Sequence, residues 1–376
     1  MGNLLLCLVT CMQVLIVAAA AGNRPPAMYV FGSSIVDVGN NNYLPGAAVG
    51  RANRRYNGID FPGSIPTGRF SNGYNIADYV AKNMGFASSP PAYLSLAPGS
   101  SSGTLVQTAL SNGVSYASGG AGILDSTLQY FNATKAKMVA AAGPHAVKDL
   151  LSRSIFLLAI GNNDMFVFAL AQRAQNKSAG DQRRNAAALY ISLISKYSAT
   201  ITVQHTCPIM HPILFYFSQI ELSCMLLYYT RTMFLFRRCV PGARVLSPAG
   251  ACWGNLNGFS AGFNDILQSR LAGLAPRLPD LAYSLADLLG FTRDALADPR
   301  AFGYTDIAGA CCGSGRLGGE AECFPNSTLC ADRDRHVFWD RAHLTQRTAF
   351  LVAQAFHDGP AQYTTPVNFR KLAQSS

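Results

Sequence analysis

Asp340 and His343 stand three residues apart near the C-terminal end of the chain, close enough to share one turn, and Ser34 lies far upstream behind a short apolar run. A serine hydroxyl is a weak nucleophile until a base takes its proton, and an imidazole oriented by a carboxylate is well suited to that task. Acyl transfer also needs hydrogen-bond donors aimed at a developing oxyanion. Ser118-Gly119-Gly120 could supply a backbone N–H, and Gly161-Asn162-Asn163-Asp164 a side-chain amide. Each piece alone has a plainer meaning: a turn at Gly32-Ser33-Ser34, tight packing at Gly119-Gly120, a helix cap at Asn163, a surface pair at Asp340 and His343. Asp332 and His336 form a rival acid–imidazole pair of similar spacing.

What joins the pieces is where they fall along the chain. Met28-Tyr29-Val30-Phe31 and Ile155 to Ile160 are continuous apolar runs of the kind that form buried parallel strands. Val114 to Ala117 is a weaker strand and Leu281 to Leu285 a later one. Helical stretches come between and after them: Asn75 to Met84, Thr134 to Ser152, Asn185 to Ser195, and a last helix with Ala349, Val352, Ala353 and Phe356 on one face and Thr345 as its N-cap. Strands alternating with helices imply an α/β protein, three layers α/β/α around a central, mostly parallel, doubly wound sheet. Ligands of such sheets bind beyond the carboxyl ends of the strands. Ser34, Gly119 and Asn163 each follow a strand, and Asp340–His343 precedes the last helix, so all four would meet at one edge.

The compartment follows from the first residues and the cysteines. Leu4 to Ala20 is an apolar run followed by small residues, which reads as a signal peptide over 1–21. No Lys or Arg precedes Arg24, but the run is shorter than the ~20 residues a membrane span needs. No stable span is therefore expected once the leader is removed, and residues 22–376 read as one secreted domain without repeats. Asn132-Ala133-Thr134, Asn176-Lys177-Ser178 and Asn326-Ser327-Thr328 are N-glycosylation sequons. Cys239, Cys252, Cys311, Cys312, Cys323 and Cys330 crowd the C-terminal half, and in an oxidising compartment they read as disulfides. Cys239–Cys252 would close a short loop. Cys311 and Cys312 would pair separately with Cys323 and Cys330, because bonding between neighbours is strained. No CxxC or histidine spacing suits zinc, and no cofactor is expected. The formal charge of +10 comes from scattered arginines with no basic stripe, so a nucleic-acid partner is not expected.

The motifs together resemble the plant extracellular GDSL esterase/lipase family of SGNH hydrolases. Phe31-Gly32-Ser33-Ser34-Ile35-Val36-Asp37-Val38-Gly39-Asn40-Asn41-Asn42 is similar to its first block, and Pro66 to Gly73 to the stretch that follows. Tyr116 to Gly122 resembles the second block, Ile160 to Asp164 the third, and Phe338-Trp339-Asp340-Arg341-Ala342-His343 the last. The resemblance spans residues 27–360 apart from two places. It implies a flavodoxin-like SGNH hydrolase fold, with Ser34 as nucleophile, His343 as base and Asp340 as its orienting acid. The oxyanion hole would be the N–H groups of Ser34 and Gly119 with the Asn163 amide. The implied function is a secreted serine hydrolase that cleaves carboxylic esters, lipid or cell-wall acyl esters, through an acyl-enzyme. An acyltransferase using the same triad is the alternative.

Three departures bear on this expectation. Ser33 stands where the family has the aspartate of its name, so a hydroxyl must take over any hydrogen bond of that carboxylate. The loop around Thr127 and Leu128 is shorter than in relatives. Residues 203–238 contain no Ala, Gly, Asn or Asp, unlike the rest of the chain, and replace the stretch where relatives carry the central strand. This segment reads as a non-native insert that would impair folding and catalysis. Two motifs are decoys: Gly99-Ser100-Ser101-Ser102-Gly103 has the G-x-S-x-G spacing but no strand before it. Gly313-Ser314-Gly315-Arg316-Leu317-Gly318 has a dinucleotide-binding spacing but follows Cys311-Cys312 and opens no helix.

Overall fold

The computed structural model describes residues 24–96, 102–123, 127–159, 161–202, 226–231, 239–252, 254–277 and 281–374. The leader, Ser101, and residues 203–225 and 232–238 lie outside these. Four parallel strands form the sheet: β1 (Met28–Gly32), β2 (Ile155–Ala159), β3 (Leu226–Arg231) and β4 (Ala282–Asp287), side by side in that order. Short strands β5 (Asp306–Ala310), β6 (Cys312–Gly313), β7 (Thr328–Leu329) and β8 (His336–Phe338) follow, and β9 (Thr364–Thr365) closes the sheet antiparallel to β4.

The expected Val114–Ala117 strand is present only as isolated bridges of Ser115, to Val30 on one side and to Ala92 on the other, yet its backbone runs along the edge of β1. Val30 N–H donates to Val114 O, Tyr116 N–H to Val30 O, and Ser118 N–H to Gly32 O. With that segment counted, the chain order of the strands is 2-1-3-4-5, the flavodoxin-like order. Its binding crevice opens where the connections diverge on either side of β1.

Successive residues of a strand face opposite sides of the sheet, and both sides here are covered. Tyr29, Phe31 and Phe156 pack on one side among Leu105, Phe131, Leu193 and Phe263 of the helices there. Met28, Val30, Ile155 and Leu157 pack on the other side against Val80, Phe291, Val352 and Phe356. These two cores make the three-layer α/β/α architecture.

Most expected helices are present. Ile76–Asn83 starts with a reciprocal cap between Asn75 and Asp78, and Gln346–Asp358 starts at Thr345, whose hydroxyl accepts from Thr348 N–H. The single helix expected over 134–152 is two, Thr127–Ala142 and Pro144–Ser152. Proline has no N–H for a helix interior, and Gly143 before it turns the chain at φ 83°. Within the segment that reads as an insert, Leu226–Arg231 occupies the centre of the sheet, in register with β2 and β4.

One buried ion pair ties the second sequence block to this framework. The Arg69 guanidinium grips both oxygens of Asp78, at 2.7 and 2.8 Å, and Ser89 Oγ donates to the same carboxylate. Burial pushes the Asp78 pKa up, but the Arg69 charge and these hydrogen bonds outweigh it and hold it below the ordinary value. Asp78 therefore contributes stability above its unfolded pKa of about 3.9, and this is lost as pH falls through the lower folded value. Arg69→Met should leave a buried unpaired charge and cost about 3–5 kcal/mol in urea unfolding, most of it recovered when Asp78→Leu is added. A loss of only about 0–1 kcal/mol would mean that the pair behaves as a surface one.

Candidate active site

Ser34 stands two residues beyond the end of β1 and is 4% exposed. Gly32 must be glycine, because a Cβ there would lie 2.5 Å from Val36 and 2.7 Å from the Ala159 carbonyl oxygen. Ser33 beside it is fully buried, and its N–H donates to Ala159 O. Its Oγ has no partner among the described residues. The expectation that this hydroxyl would take over the hydrogen bond of an aspartate is therefore not met.

The loop after Ser34 is built from side chains that satisfy backbone. Asp37 Oδ1 accepts from Gly39 N–H and Asn40 N–H, and Oδ2 from Gly119 N–H at 2.9 Å. Burial pushes the Asp37 pKa up to about 6 against the pull of these N–H groups. Asn40 Nδ2 donates to Ser115 O and Ala117 O, and Asn41 Nδ2 to Gly50 O and Gly119 O. The first block thus holds the second in place. This role was missed in the sequence, where the signal was a run of short polar side chains around a glycine.

The third block begins at Gly161, in a left-handed conformation at φ 110°, and starts the helix Asn162–Ala174. Asn163 Nδ2 donates to Ala121 O at 2.8 Å, and the Asp164 carboxylate accepts from Ile123 N–H. Both proposed oxyanion donors besides Ser34 therefore have intramolecular acceptors. An amide nitrogen carries two hydrogens, and one of those on Asn163 is engaged by Ala121 O. The Gly119 N–H must be shared with Asp37 or turn away from it.

Asp340 and His343 do form the expected pair. His343 Nδ1 lies 2.8 Å from both Asp340 oxygens, and Ala342 N–H and His343 N–H donate to Oδ1. Burial raises the Asp340 pKa, but the His343 charge and these hydrogen bonds outweigh it and hold the carboxyl below its usual value. An ionised carboxylate only accepts, so Nδ1 donates to it, and in the neutral ring Nε2 is then the nitrogen with the lone pair. The rival His336 is turned elsewhere: Nδ1 meets the Asp332 carbonyl at 3.0 Å and Nε2 the Asp306 carboxylate at 3.6 Å.

The turn that carries His343 is tied down on several sides. Trp339 N–H donates to His343 O, and the fully buried Trp339 indole donates to Asn57 Oδ1. Disulfides Cys311–Cys330 and Cys312–Cys323 pack against that indole, and Cys239–Cys252 closes a separate loop. All six expected cysteines are paired. The Gly313–Gly318 decoy lies in β6 and a 3₁₀ turn, with no strand-to-helix crossing.

Two aromatic side chains connect the blocks. The Phe70 ring sits 4.8 Å from the His343 ring, and a Cβ on Gly119 would lie 2.8 Å from that same phenyl ring. Phe166, one turn after Asn163, lines a solvent-open cleft of about 180 Å³ with Phe70, Asp340 and His343. Ser34 is not among its lining residues. The sequons differ in setting: Asn176 and Asn326 are exposed in turns, whereas Asn132 lies within a helix and its Thr134 is fully buried.

Ser33→Ala should stabilise the fold by about 1 kcal/mol, since it removes a buried hydroxyl without a partner. Denaturant unfolding at neutral pH measures this, and a loss of stability would show that the hydroxyl has a partner in solution.

Comparison with known proteins agrees with this geometry. The chain matches the GDSL-like Lipase/Acylhydrolase family over residues 28–356. A GDSL esterase/lipase of Arabidopsis thaliana is 31% identical over 366 residues, covering 93% of this chain and 90% of its own. A second from the same plant is 32% identical, covering 95% and 93%. The GDSL esterase/lipase LTL1, also from Arabidopsis thaliana, is 30% identical over 91% of this chain and 89% of its own. No helix among the described residues is long and apolar enough to cross a membrane. With the strand order, the Asp340–His343 pair and the match over most of its length in agreement, the chain belongs to the GDSL-like lipase/acylhydrolase family.

Proposed function

We propose that this carboxylic ester hydrolase works through an acyl-enzyme on Ser34 and is secreted. The observation that carries the reading is the His343 imidazole, oriented by an ionised, buried Asp340 in an open cleft. Ser34 Oγ attacks the ester carbonyl while His343 Nε2 takes its proton. The Ser34 N–H, the Asn163 amide and, once it is shared with Asp37, the Gly119 N–H receive the oxyanion. Collapse expels the alcohol, which takes the proton back from His343. Water then attacks the acyl-Ser34 ester with His343 again as base, and the acid leaves.

Secretion is supported by the apolar leader, three disulfides, and the exposed turns at Asn176 and Asn326, which we take as the glycosylated sequons. Asn132 is disfavoured by its buried Thr134. Lipid and cell-wall acyl esters are both open as substrates. Transfer to an alcohol in place of water uses the same steps, and product analysis with a polyol acceptor separates the two. The segment 203–238 is proposed as the part of the domain that limits folding yield, its β3 strand excepted.

Ser34→Ala and His343→Ala should each lower kcat by more than about 10⁴-fold and abolish labelling by a fluorophosphonate probe or its productive turnover. Ser101→Ala and His336→Ala should leave both intact. Asn163→Ala should lower kcat by about 10²–10³-fold. Since His343 acts as base only when neutral, kcat/KM should fall on acidification. An inactive His336 variant beside an active His343 variant would overturn the assignment.

A further inference from the structure

The cleft is lined by three arginines and one glutamate besides the catalytic pair, and the arginines are not equivalent. Arg51 spends its guanidinium on the carbonyls of Gly46 and Leu44. Arg54 is paired with Glu322 at 2.7 Å, donates to Cys323 O, and lies over the Phe324 ring. Arg341 differs from both: among the described residues no carboxylate or carbonyl takes its guanidinium. The nearest carboxylate along the chain, Asp340, is committed to His343 Nδ1 and to the N–H groups of Ala342 and His343.

The position of Arg341 is as defined as that of the base. It lies between Asp340 and His343, in the turn closed by the Trp339–His343 backbone bond, and Gly242 N–H donates to its carbonyl at 2.9 Å. Gly242 leaves room for the side chain, because a Cβ there would come within 3.0 Å of Arg341 Nε. A half-buried guanidinium without an acceptor, in the cleft that holds the catalytic imidazole, is a vacant place for an anion. Its planar fork matches a carboxylate.

The geometry points to a substrate that carries a carboxylate beside its scissile ester, bound by Arg341. This inference rests on the hydrolase reading and adds to it the class of ester. The carboxylate can sit on the acyl side, as in a hemiester of a dicarboxylic acid, or on the alcohol side, as in an O-acylated uronate. Arg341 is a binding residue here: it touches the substrate's charge and takes no proton.

The test uses two pairs of esters that differ in that charge. One pair is p-nitrophenyl hemisuccinate and p-nitrophenyl butyrate; the other is O-acetylated galacturonate and its methyl ester. The readout is the ratio of kcat/KM, anionic over neutral, within each pair. In the wild-type protein at least one ratio should be about tenfold or more, and it should fall as salt is raised, because a partly exposed charge pair is screened. Which pair shows the preference tells the acyl side from the alcohol side. Arg341→Gln should bring that ratio to about one, and Arg341→Lys should restore part of it. The salt titration on the wild type stands even if a variant folds poorly. Ratios at or below one in both pairs, or a preference that Arg341→Gln leaves unchanged, overturn the inference while leaving the hydrolase reading intact. Failure of every ester, neutral ones included, together with no fluorophosphonate labelling, overturns the hydrolase reading and this inference with it.

Discussion

A backbone N–H or C=O removed from water must find a partner, and the loop that follows β1, residues 33–41, is buried. No strand or helix ladder is available to it. Side chains of the first block supply the partners instead: Asp37 takes three N–H groups, and Asn40 and Asn41 reach four carbonyls. The turn at Gly119, the loop at Gly50 and the end of the Val114–Ala117 segment all hang on this network. A carboxylate is well matched to converging N–H donors, and an amide can serve two carbonyls at once. The order of the site is therefore a consequence of backbone satisfaction, and Ser34 sits at the start of the segment that provides it.

The His343 imidazole is held by a different means. Its turn lies outside the parallel sheet, after β8, and small strands give it little support of their own. Two disulfides and the buried Trp339 replace a deeper core there, a solution suited to an oxidising compartment. The link between the two halves of the site is the Phe70 ring, set between Gly119 and His343. Phe70 is fixed in turn by its neighbour Arg69 through the buried pair with Asp78.

The unpaired guanidinium of Arg341 stands apart from these constraints. Other buried or half-buried charges of the region have partners within the fold: Arg69 with Asp78, Arg333 with Asp60, Arg54 with Glu322 and Asp340 with His343. Among the described residues none takes the Arg341 guanidinium, which is why its place in the cleft bears on the proposed substrate.

Legible in the sequence were the strands Met28–Gly32 and Ile155–Ala159, the helical stretch from Asn75, the cap at Thr345, the Asp340–His343 turn and the six bonded cysteines. All of these are local patterns: a continuous apolar run, a polar residue before a helical face, an acid three residues before an imidazole. Only the tertiary structure decided how distant segments meet. Leu329 lies opposite Cys312 in the β6–β7 ladder and Cys330 N–H donates to Cys311 O, which sets Cys311 with Cys330 and leaves Cys312 for Cys323. Asp37 became the hub of the site because Gly119 arrives beside it from the segment after Val114–Ala117, and Ser33 Oγ is buried without a partner among the described residues. The composition of 203–238 set it apart from the rest of the chain, yet Leu226–Arg231 lies at the sheet centre, since a central slot asks chiefly for backbone that pairs on both edges. Local spacing encodes which residues can act. Long-range hydrogen bonding decides which of them are brought together, because those partners lie far apart in the chain and no short-range pattern records them.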